Sequence, residues 1–475
     1  MTLVGSLAEA AAAVVGEERV RTHPLELHLY RSDAGLATGD ASVVAFPETV
    51  DEVVALVGAA TRAGAPVVAR GAGTGLAGGA VPDGGALVLV MTRMDAIHDV
   101  DTANRTAWVD PGVINLDLSR HTEPLGLHFA PDPSSQAACT IGGNVANNSG
   151  GPHCLAEGST VNHVLAVEYV AADGSIRTVG GAAPDPIGLD LRALLVGSEG
   201  TLGIVTRVLV KLTPNAPAVR TLLLSFDDIE SCAATVAGVI ADGVVPAALE
   251  MMDRPLIRAI ENFIHADLPV DAAAMLLAEV AGHPDAVDSE AAVVERVGRA
   301  HGATVRVAAD EAERAILWKG RKSAFGAVAQ IAPDYYLHDT VVPRTRLVEA
   351  MRRLYEIAER YDLTLLNTVH AGDGNLHPKL AFDASEPGVL DRVHAAGREM
   401  VTLAIELGGA LTGEHGIGLE KKELMELAFS RVDLDAQARL RDALDPDGLL
   451  NPGKILPAGA RCAEFGRPVP EGTWI

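Results

Sequence analysis

The stretch "NTVHAGDGNLHPKL" (367–380) sets His370 and His377 on either side of a turn containing Gly372 and Gly374. The flanks "LTLLNTV" and "LHPKLAF" read as short strands and "AGDGN" as turn chemistry. A hairpin places both imidazoles near its tip, on facing strand ends. The pattern is not the H-E-x-x-H of zinc proteases, which needs a helix that the two glycines oppose. Taken alone, the pair fits backbone hydrogen bonding at a turn as well as it fits a metal. A third donor lies in "GGALTGEHGIGLEKK" (408–422), where Glu414 and His415 are neighbours. In extended backbone they project in opposite directions, one to ligate and one to face another partner. His370, His377 and Glu414 then form a two-imidazole, one-carboxylate set with open positions, acceptable to zinc, manganese or iron. Gly413, Gly416 and Gly418 around Glu414 argue against a solvated acid beside Lys421.

These residues need strands to hold them, and the chain offers two kinds of organisation. Residues 41–213 are rich in Gly and Val, with short apolar strands broken by turns. Within them "PVVARGAGTGLAGGAVP" (66–82) runs a strand into Gly71, Gly73, Gly75, Gly78 and Gly79, so backbone N–H groups can approach a phosphate closely. Gly73, Gly75 and Gly78 satisfy G-x-G-x-x-G, but "AVPDGG" follows where a Rossmann loop must open a helix. No G-K-[ST] is present, which excludes a Walker loop. A pyrophosphate cradle on another fold remains, against an ordinary hairpin turn. The polar run "APDPSSQAACTIGGNVANNSGGP" (130–152) lies between apolar strands, where so long a loop usually binds something. "LLVGSEGTLGIVTRVLVKLTP" (194–214) inserts Gly197, Gly200 and Gly203 before a Val-rich strand. After the junction "TPNAPAV" (212–218), strands at 221–226, 246–252, 273–281 and 304–308 alternate with helices at 229–241 and 290–300. That rhythm indicates a second, α/β or α+β domain. Helices from about 421 to 445 end at "DPDGLLNPGK".

Composition limits the function. With 63 acidic against 38 basic residues the net charge is −25, which disfavours nucleic acid; an anionic substrate then needs local cations or a metal. Cys139, Cys154, Cys232 and Cys462 are scattered, without C-x-x-C, so no iron–sulfur or cysteine–zinc site is expected and a reducing compartment is. The start "MTLVGSLAEAAAAVVGEERV" has no basic region before its apolar run and reads as an amphipathic helix rather than a signal. No apolar stretch approaches the ~20 residues of a membrane span. The expected location is cytoplasmic, at most peripheral at a membrane.

The glycine loop and the two loops that follow resemble the FAD-binding domain of vanillyl-alcohol oxidase-type (PCMH-type) flavoproteins, and most closely the FAD-linked D-2-hydroxyacid dehydrogenases. The resemblance runs from about 40 to 456. It implies an α+β fold: a helical segment at 1–39, the FAD-binding domain at 40–217, and a substrate and metal-binding cap domain with a largely antiparallel sheet at 218–420. A helical segment at 421–456 then returns to the FAD domain, and a tail at 457–475 is irregular. It implies that Arg70, Gly71, Ala72, Gly73, Thr74, Gly75 and Leu76 wrap the pyrophosphate of FAD. Pro131, Asp132, Ser135, Thr140, Gly143, Asn144, Asn147 and Gly150, with Glu199, Gly203, Ile204 and Val205, hold its remaining parts. Asn451, in "LLNPGK" (449–454), comes back against the flavin. Cys139 and Cys154 are expected to be packing residues.

The resemblance also implies a reaction: oxidation of a small D-2-hydroxyacid, D-lactate or glycolate, to the 2-oxoacid. His370, His377 and Glu414 bind the metal, zinc foremost. A divalent cation acidifies the hydroxyl as a Lewis acid. His415, with an ordinary pKa near ~6.5, suits the base, and the resemblance gives it that role. Arg321, in "LWKGRKSAFGAV", matches the family's carboxylate-binding arginine, whose planar fork binds bidentately. Asn375 and Lys379 are further substrate contacts. Hydroxyglutarate enzymes carry Thr, Lys and Asn where this chain has Phe325, Leu337 and Lys379, which disfavours a five-carbon diacid. Electrons pass to a non-NAD acceptor: a quinone, an electron-transfer flavoprotein, a cytochrome or an iron–sulfur subunit. Alternatives are a D-2-hydroxyglutarate dehydrogenase, a non-redox synthase of the same fold and the flavin subunit of a glycolate oxidase assembly. The oligomeric state is open, a homodimer being one arrangement.

Overall fold

Alternating apolar residues and well-marked caps build two units, described in a computed structural model over residues 3–183 and 188–458. Cys462 and the expected tail from 459 onward lie outside the described residues. One unit comprises Met1–Gly150, Ser159–Asn215 and Glu414–Ile475; the other comprises Gly151–Gly158 and Ala216–Gly413. Against the expected boundaries, residues 414–420 group with the first unit and 151–158 with the second.

The first unit contains a four-stranded sheet of β1 (Val20–Arg21), β2 (Ala41–Ala45), β3 (Val67–Arg70) and β4 (Ala86–Val90), in the order β1-β2-β4-β3. β2 and β3 both run parallel to β4, and "ALVLV" of β4 is buried at every position, as a central parallel strand requires. Helix Val50–Ala63 covers it with Val53, Leu56, Val57 and Ala60, joined by Leu7, Ala11 and Val15 of helix Leu3–Val15. The Thr49 hydroxyl caps the start of the former by accepting from Glu52 N, and Gly64, at φ 62°, ends it. A second, antiparallel sheet holds β5 (Ile97–Asp101), β6 (Thr106–Val109), β7 (Val164–Val170), β8 (Ile176–Gly180) and β9 (Ile204–Lys211), in the order β5-β6-β9-β7-β8.

Residues 71–79 leave β3 as turns and bends with no helix, as their sequence requires. The polar run at 130–152 is not all loop. Thr140 accepts from Gly143 N and starts helix Ile141–Asn147, which Asn148 ends in the left-handed region at φ 55°. Ile141 and Val145 pack on Val167 and Val208 of the second sheet, and this burial favours a helix over the expected loop. The returning segment closes the unit. Helix Arg431–Leu444 begins with a Ser430/Asp433 capping box, and Asn451 N then donates to Val67 O at 2.8 Å beside a parallel bridge between Val67 and Leu450.

The second unit is an antiparallel eight-stranded sheet. Its strands are β10 (Ala218–Phe226), β11 (Ala248–Asp253), β12 (Ala274–Gly282), β13 (Thr304–Val307), β14 (Asp334–Leu337), β15 (Thr340–Val341), β16 (Thr364–His370) and β17 (Asn375–Phe382). The order is β13-β10-β12-β11-β16-β17-β14, with β15 also paired to β17. Leu224, Leu276, Met251, Val369 and Leu380 point to one face, covered by helices Ile229–Ala241, Pro284–Ala300, Leu347–Arg360 and Val389–Glu406. The Pro284–Ala300 helix starts before the expected residue 290 because the His283 ring accepts from Asp285 N and Pro284 suits the first helical position. On the opposite face Leu223, Met252, Met275 and Leu366 pack against helices Arg254–Ile264 and Glu311–Lys322. That face also carries polar residues at the β11, β16 and β17 ends. With parallel pairing between the described strands limited to β2, β3 and β4, beside the single bridge at Leu450, the fold is α+β.

Candidate active site

Register decides which side chains meet. Glu250 lies opposite His370, His370 opposite Asn375, Thr368 opposite His377 and Leu366 opposite Lys379. Since side chains alternate with period two, Glu250, His370, Asn375, His377, Thr368 and Lys379 share one face of the sheet. His370 and His377 are therefore diagonal neighbours at the hairpin tip. Their rings cross edge-on with centroids 4.9 Å apart, and a nitrogen of one lies within 4.8 Å of a nitrogen of the other.

Each imidazole has a buried carboxylate behind it. His370 Nδ1 lies 2.7 and 2.9 Å from the two Glu250 oxygens, which orients Nε2 away from the carboxylate. His377 Nδ1 is 3.8 Å from Asp339 Oδ1. Asp339 in turn accepts from Asn375 Nδ2 (2.6 Å), Gly413 N (2.9 Å) and the Thr412 hydroxyl. The Glu250 carboxylate behind His370 fixes its tautomer and raises its basicity toward a metal, whereas Asp339 stands beyond hydrogen-bond distance of His377; the donor set fits a divalent ion.

Arg321 is the one residue of its basic trio that points inward; Lys319 is exposed and Lys322 half-buried. Its Nε and Nη2 reach Glu250 Oε2 at 2.7 and 2.6 Å. The Asn375 amide donates to Asp339 and to Thr340 O, so this nitrogen holds the turn. Lys379 is fully buried; its Nζ donates to Thr368 Oγ1 (2.5 Å) and His377 O (3.2 Å) and lies 5.7 Å from the Phe325 ring centroid. No carboxylate lies within ion-pairing distance of it among the described residues. Burial, aided by the Arg321 charge, pushes its ammonium down to about 7.

In the first unit the expected cofactor residues converge. Asp33 organises the glycine loop by accepting from Gly35 N and Gly78 N, both at 2.9 Å, and burial raises its carboxyl. The Arg70 guanidinium donates to Ser32 O (2.8 Å) and lies over Tyr30, which ties β3 to the segment before β2. A Cβ on Gly71 would collide with Thr140 Oγ1, and one on Gly203 with the Tyr169 ring. Asn144 Oδ1 accepts from Asn115 Nδ2 at 3.0 Å, and Cys139 packs, buried, beside it. Asn147 Nδ2 donates to His415 O at 2.8 Å. Glu199, at φ 51°, accepts through Oε1 from Ile417 N (2.7 Å) and Gly418 N (3.1 Å). Asn451 Nδ2 reaches Gly79 O (2.7 Å) and Glu199 O (2.6 Å), tying three of the loops together.

Among the buried polar atoms of this unit that have no hydrogen-bond partner are Glu199 Oε2, Asn451 Oδ1 and Lys454 Nζ. Buried polar groups without partners are costly, and a polar cofactor lying along these loops answers them. The residues present fit FAD.

One expectation is corrected. Glu414 and His415 lie in a bend, not in extended backbone, and Glu414 Oε1 comes to 4.0 Å from His415 Nε2. The two side chains approach each other rather than pointing apart. Gly416 at φ 87° and Gly418 at φ 50° curl the chain there.

Fold and site together define a flavin-dependent oxidoreductase. The family pattern "FAD binding domain" matches residues 41–180, and "FAD linked oxidases, C-terminal domain" matches residues 215–455. The chain belongs to the FAD-linked oxidases, and its cofactor is FAD. It is 48% identical over 425 residues to the glycolate oxidase subunit GlcD of Escherichia coli (strain K12), covering 89% of this chain and 85% of the relative. The glycolate oxidase subunit GlcD of Bacillus subtilis (strain 168) is 41% identical, over 88% and 89% of the two chains. A D-lactate dehydrogenase of Anaerostipes hadrus is 31% identical, over 86% and 88%. Among solved structures, p-cresol methylhydroxylase with substrate bound superposes with a TM-score of 0.81 at 16% identity, over 95% of this chain and 96% of that one. An alkyldihydroxyacetonephosphate synthase reaches 0.73 at 16% identity, over 95% and 85%. These two likenesses establish the vanillyl-alcohol oxidase-type fold. No helix among the described residues is long and apolar enough to cross a membrane.

Sequence reasoning missed Glu250, Asp339 and Asp33. The first two left a signal: one acid inside the apolar runs "PAALEMM" and "YYLHDTVV". A buried charge of that kind is almost always paired. Asp33 left none, because the contact that ties it to the glycine loop is a backbone amide 45 residues away at Gly78.

Proposed function

We propose that this enzyme oxidises a small D-2-hydroxyacid, glycolate or D-lactate, to the 2-oxoacid and passes the electrons to an acceptor other than NAD. One observation carries the reading: His370, hydrogen-bonded to Glu250, and His377 share a sheet face with the buried Lys379, which has no carboxylate within ion-pairing distance among the described residues, and the buried Arg321 of helix Glu311–Lys322 reaches the same Glu250. A face built this way suits a ligand that is both metal-chelating and anionic. The names of the relatives, glycolate oxidase subunit and D-lactate dehydrogenase, point to the same substrates.

In this reading His370 and His377 hold a divalent metal, zinc foremost. Glu414 completes the set; its chain neighbour Gly413 is fixed to Asp339. A bound ion of this kind supplies Lewis acidity to the substrate hydroxyl. Bound FAD supplies the two-electron acceptor. The remaining tasks belong to side chains. Arg321, its Nε and Nη2 held by Glu250, orients the substrate carboxylate through Nη1. Lys379 balances the substrate charge. His415 takes the hydroxyl proton on a ring nitrogen. Leu337 is paired with Lys379 across the sheet and the Phe325 ring lies 5.7 Å from the ammonium, and these two apolar neighbours favour a short monoacid over a diacid.

Anaerobic mixing of the purified protein with glycolate, D-lactate, L-lactate and D-2-hydroxyglutarate tests this. Glycolate or D-lactate is expected to bleach the flavin absorbance, with the rate falling after chelation and returning with added zinc, manganese or iron. Bleaching by none of the four, or by chelator-treated and metal-free protein at the full rate, overturns it.

A further inference from the structure

Glu279 lies on β12, 2% exposed, and both of its carboxylate oxygens are engaged. Oε2 accepts from the Thr221 hydroxyl at 2.6 Å, from Arg314 Nε at 2.8 Å and from Trp318 Nε1 at 2.7 Å. Oε1 accepts from Arg314 Nη2 at 2.9 Å and stands 3.5 Å from His153 Nε2. The His153 ring stacks on Trp318, with centroids 5.4 Å apart and planes at 29°, and so covers one face of the indole. Arg314 and Trp318 both belong to helix Glu311–Lys322, which also carries Arg321.

Arg314, Trp318 and Arg321 stand at i, i+4 and i+7, so the three side chains leave one face of that helix. The sheet presents a matching pair of acids. Ala248 lies opposite Glu279 and Glu250 opposite Leu277, so the two glutamates share one face of β11 and β12 as diagonal neighbours. Glu250 takes Arg321 through Nε and Nη2, while Glu279 takes Arg314 and Trp318. Held at one carboxylate, a helix can still turn about that point or slide along its axis. A second carboxylate, gripping two side chains further toward the helix start, removes both freedoms. The outer face supplies no such hold, since Ala312, Ala315, Ile316 and Lys319 are exposed. Apolar residues of similar volume commonly stabilise a fold as well as a buried ion pair does. What the carboxylate adds is direction.

We propose that Glu279 is a positioning residue for substrate binding: through Arg314 and Trp318 it fixes the axial and rotational setting of helix Glu311–Lys322, and thereby aims the Arg321 guanidinium at the substrate carboxylate. The proposal rests on the assignment of Arg321 to that carboxylate. A planar fork recognises a carboxylate by alignment as well as by charge, so its setting matters more than that of a point charge. Slipping the helix by one residue displaces Arg321 by about 1.5 Å, and a misplacement of ~1 Å can cost ~100-fold in rate.

The test uses full-length protein loaded with FAD. Trp318→Phe keeps a ring against His153 and removes the Nε1–H donor to Glu279; if it fails to fold, Arg314→Lys and Glu279→Gln loosen the same grip. The readouts are the dissociation constant of oxalate by calorimetry, the glycolate or D-lactate concentration that half-saturates anaerobic flavin reduction, and the urea midpoint. Oxalate carries the carboxylate but has no Cα hydride to give, so its binding reports recognition alone. Oxalate is expected to bind about tenfold more weakly, with a matching rise in half-saturating substrate. The same substitution is then made beside Arg321→Lys, which keeps a cation for Glu250 but lacks the fork. There it should add less than about twofold, because a residue acting through Arg321 has lost its target. A lower urea midpoint with unchanged oxalate binding and half-saturation overturns the proposal and leaves Glu279 a structural anchor. Equal losses in the two backgrounds also overturn it. If Arg321→Lys alone binds oxalate as tightly as wild type, the assignment of Arg321 to the carboxylate is what fails.

Discussion

Replacing Glu250 separates the stability of the second unit from the proposed chemistry. The carboxylate is completely buried and has two partners: His370 Nδ1 at 2.7 Å, and Arg321, whose Nε and Nη2 lie at 2.7 and 2.6 Å. Removing one member of a buried pair leaves the other charge stranded, at ~3–5 kcal/mol. Domains of this kind are stable by only ~5–15 kcal/mol. Glu250→Ala should therefore lower the denaturant midpoint severely, and Glu250→Gln, which keeps the volume and one acceptor, somewhat less. Glu250→Leu with Arg321→Met removes both charges together and should recover most of the lost stability, since apolar replacements of a buried pair are commonly neutral or favourable. The chemistry should not recover. Glu250 also orients His370, and loss of such a partner costs ~10–100-fold in metal affinity. The assay pairs urea unfolding with metal titration of the chelated protein and anaerobic flavin reduction. Should Glu250→Gln bind metal as tightly as wild type and unfold at the same urea concentration, then Glu250 neither balances Arg321 nor supports His370.

Two further outcomes follow from the geometry. His415→Ala should slow flavin reduction at saturating substrate by ~100- to 10,000-fold with little change in substrate affinity, read by stopped-flow absorbance; reduction at the wild-type rate would assign the base elsewhere. Burial alone would raise Glu279, but hydrogen bonds from His153, Arg314 and Thr221 hold it far below the usual carboxylate range. A depressed carboxyl stabilises the folded state above its unfolded pKa near ~4.3, and this contribution falls as pH drops below it toward the folded value. Wild type should accordingly lose more stability than Glu279→Gln between about pH 5 and pH 3 in urea titrations, and parallel curves would count against the network.

Periodicity made the second unit legible. Residues 229–241 were readable as a helix from the spacing of Cys232, Ala233, Val236 and Val239, which all enter the core, and Asp228 caps that helix. The hairpin at 364–382 was readable from two apolar runs around a glycine turn, and its register brings the histidines onto one face. Caps that work through neighbouring residues were harder to see. Thr140 turns part of a polar run into a helix, and His283 adds a turn to another, because one side chain satisfies an amide that spacing cannot reveal.

The candidate site was legible by residue type and illegible as a charge balance. Histidines, a glutamate and an arginine announce themselves by type, and glycines by clustering. What fixes their roles is long-range: Glu250 is 120 residues from His370 and 71 from Arg321, and Asp339 reaches Gly413 across 74. No local pattern encodes such distances. Yet the constraint is physical rather than arbitrary, because each buried charge must be answered. Arg321 is answered by Glu250 and Glu279 by Arg314. Among the described residues Lys379 and Lys454 are buried with no carboxylate within ion-pairing distance, one on the histidine face and the other in the returning segment of the first unit. The proposed function assigns the first of them an answer, the carboxylate of the hydroxyacid.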